Sequence, residues 1–93
     1  MIIGIVTFDL SLPECHSLKE KRMLLKSLKA RLRNQFNISV SEVDWQDKWQ
    51  RSTVAVAAVG TGKRDLNSML SHVVESVRSD PRWVILDESL ELI

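Results

Sequence analysis

The chain is poor in the residues on which specialised chemistry depends: it has one cysteine, two histidines, three glycines and no tyrosine. Cys15 alone cannot form an internal disulfide. No apolar run approaches the roughly 20 residues needed to cross a bilayer, which argues against a membrane span. No basic segment followed by a cleavable apolar stretch is found at the start. We therefore expect a cytoplasmic protein.

The positive charge that is present is unevenly distributed. With 44% apolar and 27% charged residues, the composition is that of an ordinary globular domain, and 93 residues suit one domain. Seven of the thirteen Lys and Arg residues fall between Ser17 and Arg33, where only Glu20 opposes them. This segment carries +6 and the remainder −5, a division that bears on partners because summed charge steers anionic ligands.

Apolar spacing predicts the order strand, helix, strand, strand, helix, strand. Ser17 and Glu20 form a capping box at the start of the first helix. The predicted strands cover residues 1–10, 38–45, 53–59 and 83–92, and the second helix covers 66–77, with the second strand at a sheet edge. The order predicts one α+β domain over residues 1–93, a ferredoxin-like βαββαβ sandwich with two helices on one face of a four-stranded antiparallel sheet.

The first and third predicted strands are apolar on both sides. In the first strand, Ile3 and Ile5 alternate with Ile2, Val6 and Phe8. Two helices cover only one face of a sheet, so the second apolar face argues for a partner, most simply a second copy of the chain. We keep a homodimer as a candidate, the alternative being an apolar patch too small to matter.

Five cations lie beside the apolar stripe of the first helix, within roughly 80° of helical arc. They are Lys19, Arg22, Lys26, Lys29 and Arg33. Such a row suits the phosphates of RNA, which cations bind without reading sequence. The alternative is a solvated face that only keeps the protein soluble. The sequence therefore predicts a candidate nucleic-acid-binding surface.

Lys21 differs from these cations because its angle places it inside the apolar stripe. A carboxylate such as Asp9 or Asp87 could meet its ammonium. We expect instead that its stem lies along apolar neighbours while the ammonium reaches the surface.

Trp45 and Trp49 flank the predicted hairpin turn, with Lys48 and Arg51 nearby. Aromatic rings beside cations can stack bases, but hairpin packing or an anchor in a protein interface is commoner. The strands lack the exposed aromatic set of an RNA-recognition motif. We treat both tryptophans as interface candidates and assign RNA binding to the basic helix.

No catalytic or metal constellation is found. Cys15 and His16 could be imagined as a thiol and its base, but adjacent residues rarely converge on one ion and His72 lies on another helix. Gly60, Thr61, Gly62 and Lys63 suggest a phosphate loop, yet the glycine it requires is replaced by Ala57. We predict no enzyme activity, cofactor or metal, and no small-molecule ligand can be identified. A small enzyme using the loop of Cys15 and His16 remains an alternative.

The chain resembles the YlxP-like family of uncharacterised bacterial proteins nearly from end to end. The resemblance is carried by residues 16–22 (His-Ser-Leu-Lys-Glu-Lys-Arg), 31–37 and 42–51, with Trp45 a departure from the family pattern. It implies a ferredoxin-like fold and no established activity. Members are often encoded beside translation and ribosome-binding factors, which implies a role with ribosomal RNA or a ribosomal protein.

Overall fold

The computed structural model describes residues 1–93 and contains six elements in the predicted order. They are β1 (Ile2–Ser11), α1 (Leu18–Gln35), β2 (Ser39–Asp44), β3 (Arg51–Gly60), α2 (Lys63–Arg78) and β4 (Val84–Leu92). All strand pairs are antiparallel, in the order β2-β3-β1-β4. The predicted α+β, ferredoxin-like arrangement is confirmed.

The two central strands, β1 and β3, meet along their full length, with Val6 opposite Val56. The predicted edge position of β2 is correct, and its register against β3 shifts between Glu42 and Asp44. The other edge is β4, which has a similar shift where it pairs with β1 between Asp9 and Leu10. Each edge strand thus pairs with one neighbour only.

Both helices pack on the face formed by even-numbered residues of β1, since those positions are buried from Gly4 to Leu10. The buried helix residues are Lys21, Leu25, Leu28 and Leu32 in α1 and Leu66, Leu70, Val73 and Val77 in α2. Seven of these eight are apolar and repeat at helical spacing, which is why hydropathy alone identified both helices. The core lies between them and the sheet.

The start of α1 follows the predicted cap with one difference. The Ser17 hydroxyl accepts a hydrogen bond from the Glu20 backbone N–H at 3.1 Å. The Glu20 carboxylate reaches back to the backbone N–H of His16, at 2.9 Å, rather than to that of Ser17. The helix start is therefore closed from both sides, and the preceding loop is tied to it.

Close packing of α2 on β1 depends on Gly4. A Cβ atom at this position would collide with Cδ1 of Leu70 and lie 3.2 Å from the side chain of Leu66. The missing side chain lets the helix approach the strand closely. Gly4 thereby contributes to the placement of α2 over the centre of the sheet.

The opposite face of the sheet carries no helix. Ile3 lies opposite Val59 and Ile5 opposite Ala57, so an apolar patch covers the part of this face near the start of β1. Val59 is 68% exposed. The second apolar face predicted from sequence is therefore present, over part of the sheet.

Candidate functional site

The five predicted cations form a line on the surface of α1, here called the basic ridge: Lys19, Arg22, Lys26, Lys29 and Arg33. Successive members are three or four residues apart, so the ridge runs along the helix for about 21 Å at 1.5 Å per residue. All are exposed except Lys29, which is half-buried. None takes part in an ion pair, and Arg33 alone makes a hydrogen bond, from Nη2 to the Val40 carbonyl at 3.1 Å.

The basic ridge faces away from α2 and lies along the β2 edge of the molecule. The flank of α1 that faces α2 carries Arg31 and Gln35, which contact Ser76 through hydrogen bonds of 2.7 Å and 3.1 Å. The ridge occupies the other flank, at 100° per residue, and the bond from Arg33 to Val40 ties it to β2. A ligand on the ridge would meet α1 and the edge of the sheet together.

The remaining two cations of α1, Lys21 and Arg31, form ion pairs with carboxylates of the protein. Lys21 is 1% exposed, so the expectation that its ammonium reaches the surface is wrong. Its partner is Glu42, at 2.8 Å, and neither Asp9 nor Asp87. Those two carboxylates lie opposite each other in the β1–β4 register, where Asp9 is an odd-numbered residue of β1 and faces away from the helices.

Lys21, Glu42 and Ser52 form a buried polar cluster with the backbone of the β2–β3 hairpin. Ser52 is fully buried and its hydroxyl donates to Glu42 Oε2 at 2.7 Å. The Lys21 ammonium also donates to the carbonyl of Trp45. The ammonium thus has a carboxylate and a carbonyl as acceptors, which meets the requirement that a buried charge be paired and hydrogen-bonded.

A second polar cluster, missed by the sequence reasoning, joins α1 to the turn after α2. Asp80, 7% exposed, accepts hydrogen bonds from Arg31 at 3.1 Å and from Arg82 at 2.6 Å. The hydrogen bond from the Arg82 guanidinium lowers the pKa of Asp80 to about 2. Both guanidinium groups lie over Trp83, 5.9 Å and 5.0 Å from the ring centroid, and this arrangement is structural.

The two candidate interface tryptophans lie in the β2–β3 hairpin. Trp45 is half-buried beneath Arg51, whose guanidinium carbon is 4.9 Å from the ring centroid. Trp49 is 51% exposed. The hairpin is anchored at its base by Gln50, whose side-chain amide donates to the carbonyls of Pro13 and Cys15, each at 3.2 Å.

The loop of Cys15 and His16 does not have the geometry of a nucleophilic site. Cys15 is 6% exposed, and burial together with the nearby Glu20 carboxylate raises the pKa of its thiol. A reactive cysteine needs the opposite, a lowered pKa and access to substrate. His16 is exposed, and its backbone, not its imidazole, makes the contact with Glu20.

No group of three or more His, Cys, Asp or Glu side chains is placed to hold a metal ion. Neither helix is long and apolar enough to cross a membrane.

The fold and surface define a ferredoxin-like α+β domain with a basic helix. Residues 3–90 match the family described as "Protein of unknown function (DUF503)", and the chain belongs to this family. A relative, "Uncharacterized protein YlxP" of Bacillus subtilis, is 36% identical over 80 residues, which cover 86% of this chain and 87% of the relative. The resemblance stated from sequence is confirmed.

Among solved structures, the chain is similar to a mutant of SnoaB, a cofactor-independent oxygenase from Streptomyces nogalater. The TM-score is 0.50 at 10% identity, with 99% of this chain and 90% of SnoaB covered. At this identity the likeness concerns the fold alone, because one fold serves many unrelated functions. The expectation that this protein is not an enzyme stays a prediction, as does RNA contact at the basic ridge.

Proposed function

We propose that this protein is a small cytoplasmic accessory factor of translation that binds ribosomal RNA, or a ribosomal partner, through the basic ridge. The observation that carries the proposal is that the five cations of the ridge have no carboxylate partner. On the same helix, Lys21 and Arg31 each have one. Cations left unpaired in a line are available to phosphates.

Charge alone explains how the ridge would hold RNA. Each phosphate that a Lys or Arg side chain neutralises releases condensed counterions, and affinity then depends on salt and little on sequence. The remainder of the chain, at −5, repels phosphates. RNA would therefore approach in one orientation, with the ridge toward it.

The first test is sedimentation with ribosomal subunits over a salt series. For five phosphates, log K should fall with log salt at a slope of roughly −3.5 for single strands and −4.5 for a duplex. Arg22→Glu with Lys26→Glu should abolish the interaction. These positions are preferred to Arg33, whose side chain also binds the Val40 carbonyl.

The matched control is Lys63→Glu with Arg64→Glu, which changes the net charge equally at two exposed cations of α2 that form no ion pair. Acidic residues suit a helix N-terminus, so this variant should fold. It should retain most of the binding. Equal losses in both variants, or an interaction that ignores salt, would overturn the proposal.

A second candidate function is that of a homodimeric interaction module without nucleic-acid binding. It is supported by the uncovered apolar patch of Ile3, Ile5, Ala57 and Val59. A contiguous exposed apolar patch is characteristic of an interface, and a second copy is the simplest partner for it. In this case the ridge would serve solubility only.

A further inference from the structure

The β2–β3 hairpin holds one residue in an unusual backbone conformation. Trp45 has a φ of 65°, which bulky residues seldom adopt. Such residues persist where their surroundings hold them, often at binding sites. Here the Trp45 carbonyl accepts from the buried Lys21 ammonium and from the backbone N–H of Lys48, the latter at 3.0 Å. The hairpin is thus fixed to the interior at its most strained point.

The same conformation places the Trp45 indole under a cation that is itself held rigidly. Both oxygens of Asp9 accept from Nη2 of Arg51, at 2.9 Å and 2.8 Å. The guanidinium lies over the indole, and its Nε is buried without a hydrogen-bond partner. Arg51 therefore presents a fixed flat group, while its unpaired Nε lies out of contact with solvent.

Beside this pair the hairpin surface is concave, with a cavity of about 440 Å³, a size typical of sites for small ligand groups. Its lining residues are Trp45, Asp47, Lys48, Trp49, Gln50 and Arg51. Trp49 is half exposed there, although an indole of this size normally buries more of its surface in a domain. An aromatic face, two cations and several polar groups thus meet in one depression.

The hairpin is continuous with the edge that carries the basic ridge. It follows β2, the edge strand contacted by Arg33, and its Trp45 carbonyl is bonded by Lys21, the chain neighbour of Arg22. Arg51 binds Asp9 on the sheet face away from the helices, so an RNA strand on the ridge would have to turn around the β2–β3 hairpin to place a nucleotide in the cavity.

We propose that the cavity is a base-stacking site, and that the ligand of the ridge is RNA with an unpaired nucleotide. The base would stack on Trp49 and the guanidinium plane of Arg51, while Lys48 binds the adjoining phosphate. The Asp47 carboxylate and the side-chain oxygen of Gln50 supply acceptors for the edge of the base, whereas the Gln50 amide nitrogen already donates to the carbonyls of Pro13 and Cys15. The inference rests on the proposed function and specifies its substrate class.

The test compares two fluorescent RNAs of equal length, a single-stranded oligouridine and a blunt duplex, by anisotropy titration. Trp49→Ala should weaken binding of the single strand by roughly 5- to 150-fold, the range for loss of one stacked base. Binding of the duplex should change little, because paired bases are not available to stack. Trp49→Phe should restore part of the loss.

Leu86→Ala is the matched control, since Leu86 is also 51% exposed but lies in β4, at the opposite edge of the sheet. It should bind both RNAs like the wild type. The stacking site is overturned if Trp49→Ala and the wild type bind the single strand with equal affinity. It is also overturned if Trp49→Ala loses as much affinity for the duplex as for the single strand.

The two proposals fail separately in the same experiment. If Arg22→Glu with Lys26→Glu abolishes binding of both RNAs while Trp49→Ala alters the affinity for neither, the ridge is supported and the stacking site is wrong. If Trp49→Ala weakens binding of the single strand but Arg22→Glu with Lys26→Glu does not, the stacking site is supported and the ridge is wrong. Absence of RNA binding by the wild type overturns the stacking site and RNA as the ligand of the ridge, and a ribosomal protein then remains as the partner that sedimentation with ribosomal subunits tests.

Discussion

At the scale of single residues, the defining feature is a lysine in the core. Lys21 is 1% exposed, and its ammonium is matched by Glu42, itself bonded by the buried Ser52 hydroxyl. Moving a charge out of water costs several kcal/mol, which only a close partner with further hydrogen bonds offsets. The pair therefore adds little net stability, but either member alone is costly.

Removing one partner should reveal that cost. We expect Glu42→Ala to lower the free energy of unfolding by about 3–5 kcal/mol, because the Lys21 ammonium would remain buried without its counter-charge. Urea denaturation measures the difference. Glu91→Ala, which removes an exposed carboxylate with no ion pair, is the control and should change stability by less than about 0.5 kcal/mol.

The double variant Lys21→Met with Glu42→Leu separates the pair from its packing. Two apolar side chains of similar volume should recover most of the stability lost in Glu42→Ala, short of the wild-type value because the fully buried Ser52 hydroxyl loses its acceptor. If Glu42→Ala were tolerated as well as Glu91→Ala, Lys21 would have to reach water in the variant.

Sequence reasoning came close at this residue and then erred for an identifiable reason. The helical angle of Lys21 correctly placed it in the apolar stripe, but its partner was sought at Asp9 and Asp87. The alternation of side chains along β1 excludes Asp9 as the partner, because even-numbered residues of β1 face the helices and Asp9 does not. Glu42 lies two positions after the buried Val40, on the same face of β2, so the spacing in β2 held the signal.

At the scale of elements, Asp80 links α1, the end of α2 and the approach to β4. Its carboxylate accepts from Arg31 and Arg82, while the indole N–H of the adjoining Trp83 donates to the Val77 carbonyl at 2.7 Å. Hydropathy predicts where these elements end. It does not predict the ion pair between Arg31 and Asp80 that connects them, because the two residues are 49 positions apart in the chain.

The Asp80 cluster should make stability depend on acid pH. Its pKa is lowered from 3.8 to about 2, so the unfolded chain binds the proton more tightly than the folded one. The stabilisation, roughly 2 kcal/mol at 1.36 kcal/mol per pKa unit, is fully present above about pH 4 and is lost as the pH falls through about 2. Urea midpoints from pH 2 to 5 measure it.

Asp80→Asn is the variant that tests this assignment. It should flatten the rise in stability between pH 2 and 4, whereas Asp47→Asn, at an exposed carboxylate without an ion pair, should leave it unchanged. If stability rises between pH 2 and 4 as much in Asp80→Asn as in the wild type, other carboxyl groups cause the acid dependence.

At the scale of the whole molecule, the divided charge becomes a polarity across the sheet. The basic ridge follows the β2 edge, and exposed Asp87, Glu88 and Glu91 lie on β4, the opposite edge. The count of charges along the chain predicted the division, but its direction in space follows only from the strand order β2-β3-β1-β4. Asp87 and Glu91 have no ion pair, whereas Glu88 pairs with Arg78, so the proposed RNA would be drawn to the β2 edge rather than to the β4 edge.

The open sheet face lies between these two edges, and its apolar patch leads to a prediction about assembly. If a second copy covers it, light scattering should give twice the mass of the chain, and Val59→Lys should give the mass of a single chain. Val59 is 68% exposed, so a lysine there disturbs no packing within one copy. Met23→Lys makes the same kind of change at a 64% exposed residue of α1, on the other side of the molecule, and should leave the mass unchanged. A single-chain mass for the wild type at every concentration would exclude the dimer, and the apolar patch would then be one that the monomer tolerates in water.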